Sequence, residues 1–253
     1  MQNKSVKIIG ILLFCVSYVC VHAQETEIKA AETAYAAEEY DKAAELYESV
    51  LNSYGDSYEL YYNLGNSYFK SGKLAQAMLN YERALLIKPG DSDIRFNLEL
   101  AKTQTVDRIE PLQEFFLTKW FRAVQNLVGV DAWATIGIVC FVLLICCLVL
   151  FFFSKWMYLK KIGFYLGVLL LITVITANIF AYNQKNDLLE RKGAIVFAPT
   201  VTIKSSPDES GTDLFLLHEG TKVFIRNYVG NWNEIELEDG NIGWINKKDI
   251  TVI

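Results

Sequence analysis

The sequence predicts a multidomain chain: an all-α helical-repeat array, a two-helix transmembrane hairpin and a small all-β barrel, in that order. Three observations predict it. A residue pattern in the first hundred positions returns after 34 residues, two uncharged apolar stretches occupy 134–153 and 162–182, and short alternating runs replace helical spacing after residue 193. Hydrophobic residues make up 52% of the 253, but they lie in blocks, which favours several small units over one large core.

Ahead of the repeats, residues 1–23 read as a secretory signal peptide. Lys4 and Lys7 precede an apolar core from Ile8 to Val21, and Val21-His22-Ala23 puts a small residue before Gln24. The core is shorter than the roughly 20 residues that cross a bilayer, which favours cleavage over an uncleaved anchor. Bulky Val19 before Cys20 disfavours a lipoprotein signal. Without the signal the chain has 22 Lys and Arg against 29 Asp and Glu, a net charge of −7. That acidic balance argues against nucleic acid as a partner. All five cysteines lie in apolar blocks, Cys15 and Cys20 in the signal and Cys140, Cys146 and Cys147 in the first span. The exported parts therefore have no disulfide and no thiol ligand.

Residues 24–102 carry the repeats. Tyr40, Ala43, Tyr47 and Val50 recur as Leu74, Ala77, Tyr81 and Ala84. Over Tyr58 to Asp91, Tyr61, Leu64, Gly65, Tyr68, Gly72, Ala77, Tyr81, Ala84 and Pro89 stand where a pair of crossing helices needs them. Gly65 and Ala77 are small at the crossing, Leu64, Tyr68 and Tyr81 fill the space around it, Gly72 permits the turn and Pro89 ends the second helix. This unit resembles the tetratricopeptide repeat (TPR). The first copy is more degenerate, with Ala30, Ala31 and Ala34 in place of Leu64, Gly65 and Tyr68. After Asp91, SDIRFNLELAK keeps Leu98 but has Glu99 in place of glycine, and reads as a capping helix. The resemblance implies a TPR solenoid of about 2.5 repeats, near the minimum for stable stacking, so support from a partner, a second copy or the membrane is expected. TPR arrays bind through the concave face of their first helices. That makes Lys29, Glu32, Tyr62, Asn63, Asn66, Lys70 and Asn97 candidate ligand contacts. Asn66 and Lys70, four apart on one helical face, suit a peptide backbone or carboxylate, while an ordinary solvated face accounts for the same residues.

Residues 103–133 form an amphipathic linker, with Phe115, Phe116, Trp120, Phe121, Val124, Leu127 and Val128 at helical spacing beside Lys119 and Arg122. The stripe suits a helix on the membrane surface, with Trp120 and Trp133 at headgroup depth, and equally a helix packed beneath the repeats. Residues 134–153 form the first transmembrane helix, since 20 uncharged residues cover about 30 Å; 162–182 form the second. The joining loop, 154–161, holds Lys155, Lys160 and Lys161 and no acid, so the positive-inside bias makes it cytoplasmic and puts both flanks outside. The signal sends residue 24 onward to that same side. Cys140, Cys146 and Cys147 read as small hydrophobes in preference to a metal or redox cluster. Asn178 reads as a helix–helix hydrogen bond in preference to part of a permeation path.

After a linker at 183–193, the runs AIVFAP, TVTIKSSP, TKVFIRNYVG, WNEIELEDG and NIGWINKKDI predict five or six strands within 194–253. An early strand turning at Pro207, then LLHEGTKVFI, Trp232, and an Asp239-Gly240 hairpin leading into Gly243-Trp244-Ile245, resembles bacterial SH3-like domains. That resemblance implies a small closed SH3-like barrel that binds peptide or cell wall, with Tyr228, Trp232 and Trp244 as the candidate surface. Core packing is the competing role for both tryptophans. His218, the one histidine outside the signal, stands in an apparent turn, and a lone histidine is neither a metal site nor a triad.

Neither outer unit supplies a nucleophile, metal or cofactor constellation, so no catalytic residue, metal or cofactor is assigned and the chain reads as a non-enzyme. The order of signal, short TPR array, two spans with a basic loop and SH3-like tail resembles the BatE-type TPR membrane proteins of bacterial aerotolerance (Bat) operons. The resemblance implies an inner-membrane scaffold with both large domains periplasmic and a link to aerotolerance, oxidative stress and envelope stress. The partners it implies are von Willebrand A-domain membrane proteins and other Bat-type proteins, with a MoxR-type ATPase. A peptidoglycan-binding envelope sensor is the alternative.

Overall fold

The computed structural model describes residues 24–113, 115–190 and 192–253; the signal peptide read at 1–23 lies outside them. Five helices build the first unit: α1 over 24–36, α2 (Tyr40–Tyr54), α3 (Tyr58–Lys70), α4 (Leu74–Ile87) and α5 (Ser92–Lys102). Small residues set the approach of neighbouring helices. Ala31, Ala34 and Ala43 pack with Tyr47, Val50, Leu60 and Leu64 in one buried cluster, and Ala75, Ala77, Met78, Tyr81 and Ala84 pack with Ile94 and Leu98 in the next. A methyl group at Gly65 would stand 2.7 Å from the Tyr81 ring, so the α3–α4 crossing is as close as a residue without a side chain permits. Gly72, at φ 78°, takes the left-handed turn between those helices. The Asp91 carboxylate caps α5 by accepting from the backbone N–H groups of Asp93 (3.0 Å) and Ile94 (3.2 Å).

Two long helices follow the short α6 (Phe116–Gln125): α7 (Val130–Phe153) and α8 (Met157–Glu190), both long and apolar enough to cross a membrane. They pack side by side over Gly137, Gly163, Gly167 and Cys147, which leaves most of their apolar surface outward. Three features differ from the sequence expectation. The turn between them is Ser154–Trp156, with Lys160 and Lys161 already inside α8, and residues 183–190, expected as linker, continue α8. Asn178, expected to bond across the pair, donates to the Val174 carbonyl of its own helix (2.8 Å).

The last unit is one antiparallel sheet of β1 (Gly193–Val196), β2 (Thr200–Lys204), β3 (Asp213–His218), β4 (Lys222–Val229), β5 (Trp232–Glu236), β6 (Ile242–Asn246) and β7 (Ile250–Val252), in the order β3-β2-β6-β5-β4-β1-β7. Alternation fills its inner face with Val196, Ile203, Leu217, Val223, Ile235 and Ile245. The small closed barrel expected from the sequence is not what forms: β3 and β7 are the edges of an open sheet. The repeats take the place of the missing closure at β7. Arg83 of α4 donates to the Val252 carbonyl (2.9 Å), and Ile195 and Ile253 join the buried cluster of α4 and α5. The seventh strand arises because a 3-10 turn at Lys247–Asp249 splits the run NIGWINKKDI.

The repeats, sheet and hairpin therefore pack on one another. Lys222 of β4 pairs with Glu82 of α4 at 2.7 Å, and that carboxylate is almost fully buried. A side chain at Gly90 would collide with the Leu127 carbonyl at 2.2 Å, which seats the end of α4 directly on the segment joining α6 to α7. Between α5 and α6 the chain runs along the sheet: Ile109 packs against its core and Leu112 N–H donates to the Glu238 carbonyl (2.9 Å).

Asp107 fastens this segment to the β3–β4 turn. Its carboxylate accepts from His218 N–H and Thr221 Oγ1, both 2.7 Å, and pairs with His218 Nδ1 at 2.7 Å. Burial works against the charged form, but the hydrogen bonds from Thr221 and His218 outweigh it and hold the carboxyl below its ordinary range. A depressed folded value contributes stability above the unfolded pKa, which is lost as pH falls through the folded value. Protection of the His218 amide against hydrogen exchange, corrected for intrinsic rates, is thus expected to drop as the pH falls below the ordinary carboxyl value of 3.8. In Asp107→Asn it is expected to be weak throughout and free of that transition.

Candidate functional site: the repeat groove and the outer face of the sheet

The groove is built on α3 and α5. Tyr62, Asn63 and Asn66 are half-buried on α3 and Asn97 half-buried on α5, with Lys70 exposed at the end of α3. Three of the predicted contacts form one network: Asn97 Nδ2 donates to Tyr62 Oη (3.1 Å) and to Asn66 Oδ1 (2.8 Å). Tyr81 Oη donates to the same Asn66 oxygen at 2.8 Å. Burial pushes the Tyr81 phenol well above its ordinary pKa, so it stays a neutral donor. Asn66 thus spends its oxygen on the fold and Asn97 its Nδ2, and among the described residues neither Asn66 Nδ2 nor Asn97 Oδ1 has a hydrogen-bond partner. An amide donor on α3 and an amide acceptor on α5 are groups of the kind a peptide backbone pairs with.

Lys29 and Glu32 lie apart from this network, exposed on α1, and Lys29 pairs with Glu25 one turn earlier at 2.8 Å. Two groove residues escaped the sequence reading. Phe96 is 67% exposed and Leu100 42% exposed; Leu100 stands one turn from Asn97 and Phe96 one turn from Leu100, so apolar surface adjoins Asn97 through Leu100. The signal for them was a phenylalanine outside the buried register of Ile94, Leu98 and Ala101.

Residues 58–91 match the family model for the tetratricopeptide repeat. The match covers α3, α4 and the turn that follows them, the TPR pair that supplies Tyr62, Asn66 and Tyr81. A TPR is a protein-interaction module and not a catalytic one, and it suggests protein partners for this chain. No curated protein matches the chain.

On the sheet, Trp232 pairs with Asn246 and Trp244 with Glu234, so both rings project from the same face as diagonal neighbours. That face lies opposite the core formed by Ile235 and Ile245, and both tryptophans are half-buried. Tyr228 is not brought to them. The register shift between Ile225 and Asn227 pairs it with Asn233, turning its ring to the other side of the sheet, 71% exposed with Lys247 Nζ 5.2 Å from its centroid. His218 serves the Asp107 clasp.

Proposed function

We propose that this chain is a non-enzymatic membrane scaffold whose TPR groove holds an extended segment of a protein partner. The observation that carries the reading is the amide pair Asn66 and Asn97, hydrogen-bonded to each other across α3 and α5, with exposed Leu100 one turn from Asn97. Such a pair reads backbone, and the adjoining apolar surface takes a side chain. Lys70 at the end of α3 adds a positive charge, and Lys29, Glu32 and Asn63 extend the contact surface.

The same reading has the signal at 1–23 cleaved, the basic turn in the cytoplasm, and the repeats and the SH3-like sheet on the periplasmic face of a bacterial inner membrane. Supporting it are Lys155, Lys160 and Lys161 clustered at one end of the hairpin and the packing of repeats and sheet at the other. Resemblance to BatE-type proteins supplies the partner class: von Willebrand A-domain membrane proteins and other Bat-type proteins with a MoxR-type ATPase, acting in aerotolerance and envelope stress. The paired rings of Trp232 and Trp244 favour a second reading, in which the sheet grips peptidoglycan as an envelope sensor.

Asn66→Asp tests the first reading. The carboxylate keeps an acceptor for Tyr81 and Asn97 and replaces the free donor, so the fold is retained while a partner's carbonyl is refused. Membrane proteins that copurify with the full chain are expected to be lost in Asn66→Asp and kept in a Trp232→Ala, Trp244→Ala double variant. Retention by Asn66→Asp together with loss of binding to purified cell wall in the tryptophan variant would favour the sensor.

A further inference from the structure

α6 is a short helix with three different sides. Lys119, Arg122, Ala123 and Asn126 line a cleft against Leu86 and Pro89 of the repeats. Thr118, Phe121 and Gln125 line a second cleft against Asn183 and Asn186 of α8. The remaining side consists of Phe116, Leu117, Trp120 and Val124, all apolar, with Phe116 68% and Trp120 66% exposed. The residues turned toward the repeats are the charged ones, so the apolar stripe is not packed beneath them.

The height of this helix along the hairpin is fixed by its contacts. Phe121 stacks edge-on against Phe180 of α8, ring centroids 4.8 Å apart, and Phe180 stacks in turn on Trp133 of α7 at 4.9 Å. Gln184 Nε2 donates to the Gln125 carbonyl (2.8 Å) and to the Val128 carbonyl (2.9 Å), while Trp133 Nε1 donates to the Gln125 carbonyl (2.8 Å). Phe180 lies in the last turn of the uncharged stretch 162–182, and Gln184 is the second residue beyond it. α6 is therefore pinned where the hydrocarbon-matching part of α8 ends and its polar part begins.

We infer that α6 is an interfacial membrane helix, its Phe116, Leu117 and Trp120 side sunk into the headgroup–acyl boundary of the bilayer that α7 and α8 cross. An apolar side at this height has hydrocarbon beside it, and an indole fits the boundary because its ring is apolar and its N–H is polar. Lys119 and Arg122 lie on the charged side, turned from the bilayer toward the repeats. The helix forms a ledge that carries the repeats at a set distance from the membrane, because the end of α4 rests on the segment that follows it. This inference depends on α7 and α8 spanning the bilayer.

The test uses the full chain in phospholipid nanodiscs with a photoreactive amino acid at 120, at 119, or at 145 in the middle of α7, followed by mass analysis of the adducts. Phospholipid adducts are expected at 120 and 145 and none at 119. Lipid at 145 with no lipid, or a protein adduct, at 120 overturns the interfacial helix and leaves the spans standing. Absence of lipid at both positions overturns the spans and the inference with them.

Discussion

Lys222→Ala is expected to release the sheet from the repeats. Glu82 is only 6% exposed, Lys222 holds its Oε2 at 2.7 Å, and among the described residues its Oε1 has no partner. Removing the lysine leaves a buried carboxylate without its hydrogen-bonded cation and with only the more distant charge of Lys102, an imbalance worth about 3 kcal/mol. The loss falls on one interface, because Ile195 and Ile253 leave the α4–α5 cluster as the sheet moves away. Hydrogen exchange would register it as deprotection of β1 and β7 with α7 and α8 unchanged. Adding Glu82→Leu should recover most of the docking, since an apolar pair of similar volume carries no desolvation cost. If Lys222→Ala left exchange unchanged in the full chain, the ion pair would not be what joins the two units.

Gly65→Val is expected to open the TPR crossing and disable the groove in one step. A first carbon at this position already meets Cδ1 and Cε1 of Tyr81 at 2.7 Å, and Tyr81 is 1% exposed with no room to retreat. Overpacking of this kind costs about 1 to 3 kcal/mol, with the β-branch adding its own crowding on a helix. The ring that must move is the one whose hydroxyl fixes Asn66 Oδ1, so the free amide donor loses its orientation as the repeat loses stability. A lower unfolding temperature of the repeats together with loss of copurifying protein is the expected result. Gly72→Ala serves as a contrast: it strains a left-handed turn that has nothing within 4 Å, so stability falls while the groove keeps its shape.

What could be read from the sequence follows from how far each signal reaches along the chain. Gly65, Ala77 and Tyr81 are steric partners within one helix pair, and their spacing carries the crossing with it. Charge-free length was enough for α7 and α8, and period-two alternation was enough for the strands up to β6 but not for the break that makes β7. The contacts that join the units were out of reach: Glu82 meets Lys222 across 140 residues, Asp107 meets Thr221 across 114 and Arg83 meets Val252 across 169. No local pattern encodes such pairs, so the units looked separate and the sheet looked as if it had to close on itself. Helical register puts Tyr62, Asn66 and Asn97 on one side of the first helices, but their hydrogen-bond network depends on Tyr81 reaching across the crossing. On the sheet, a single extra residue near Arg226 reverses the side on which Tyr228 projects, and a bulge of that kind leaves no mark in the alternation.

The most direct measurement places a photoreactive amino acid at Asn63, in the groove one turn before Asn66, within the full chain in its native membranes. Illumination is predicted to capture one extended segment of a membrane protein, with the adduct lost when Asn66→Asp is introduced into the same chain. An adduct indifferent to Asn66→Asp, or one made of cell-wall fragments, would contradict the claim that the groove is the docking site.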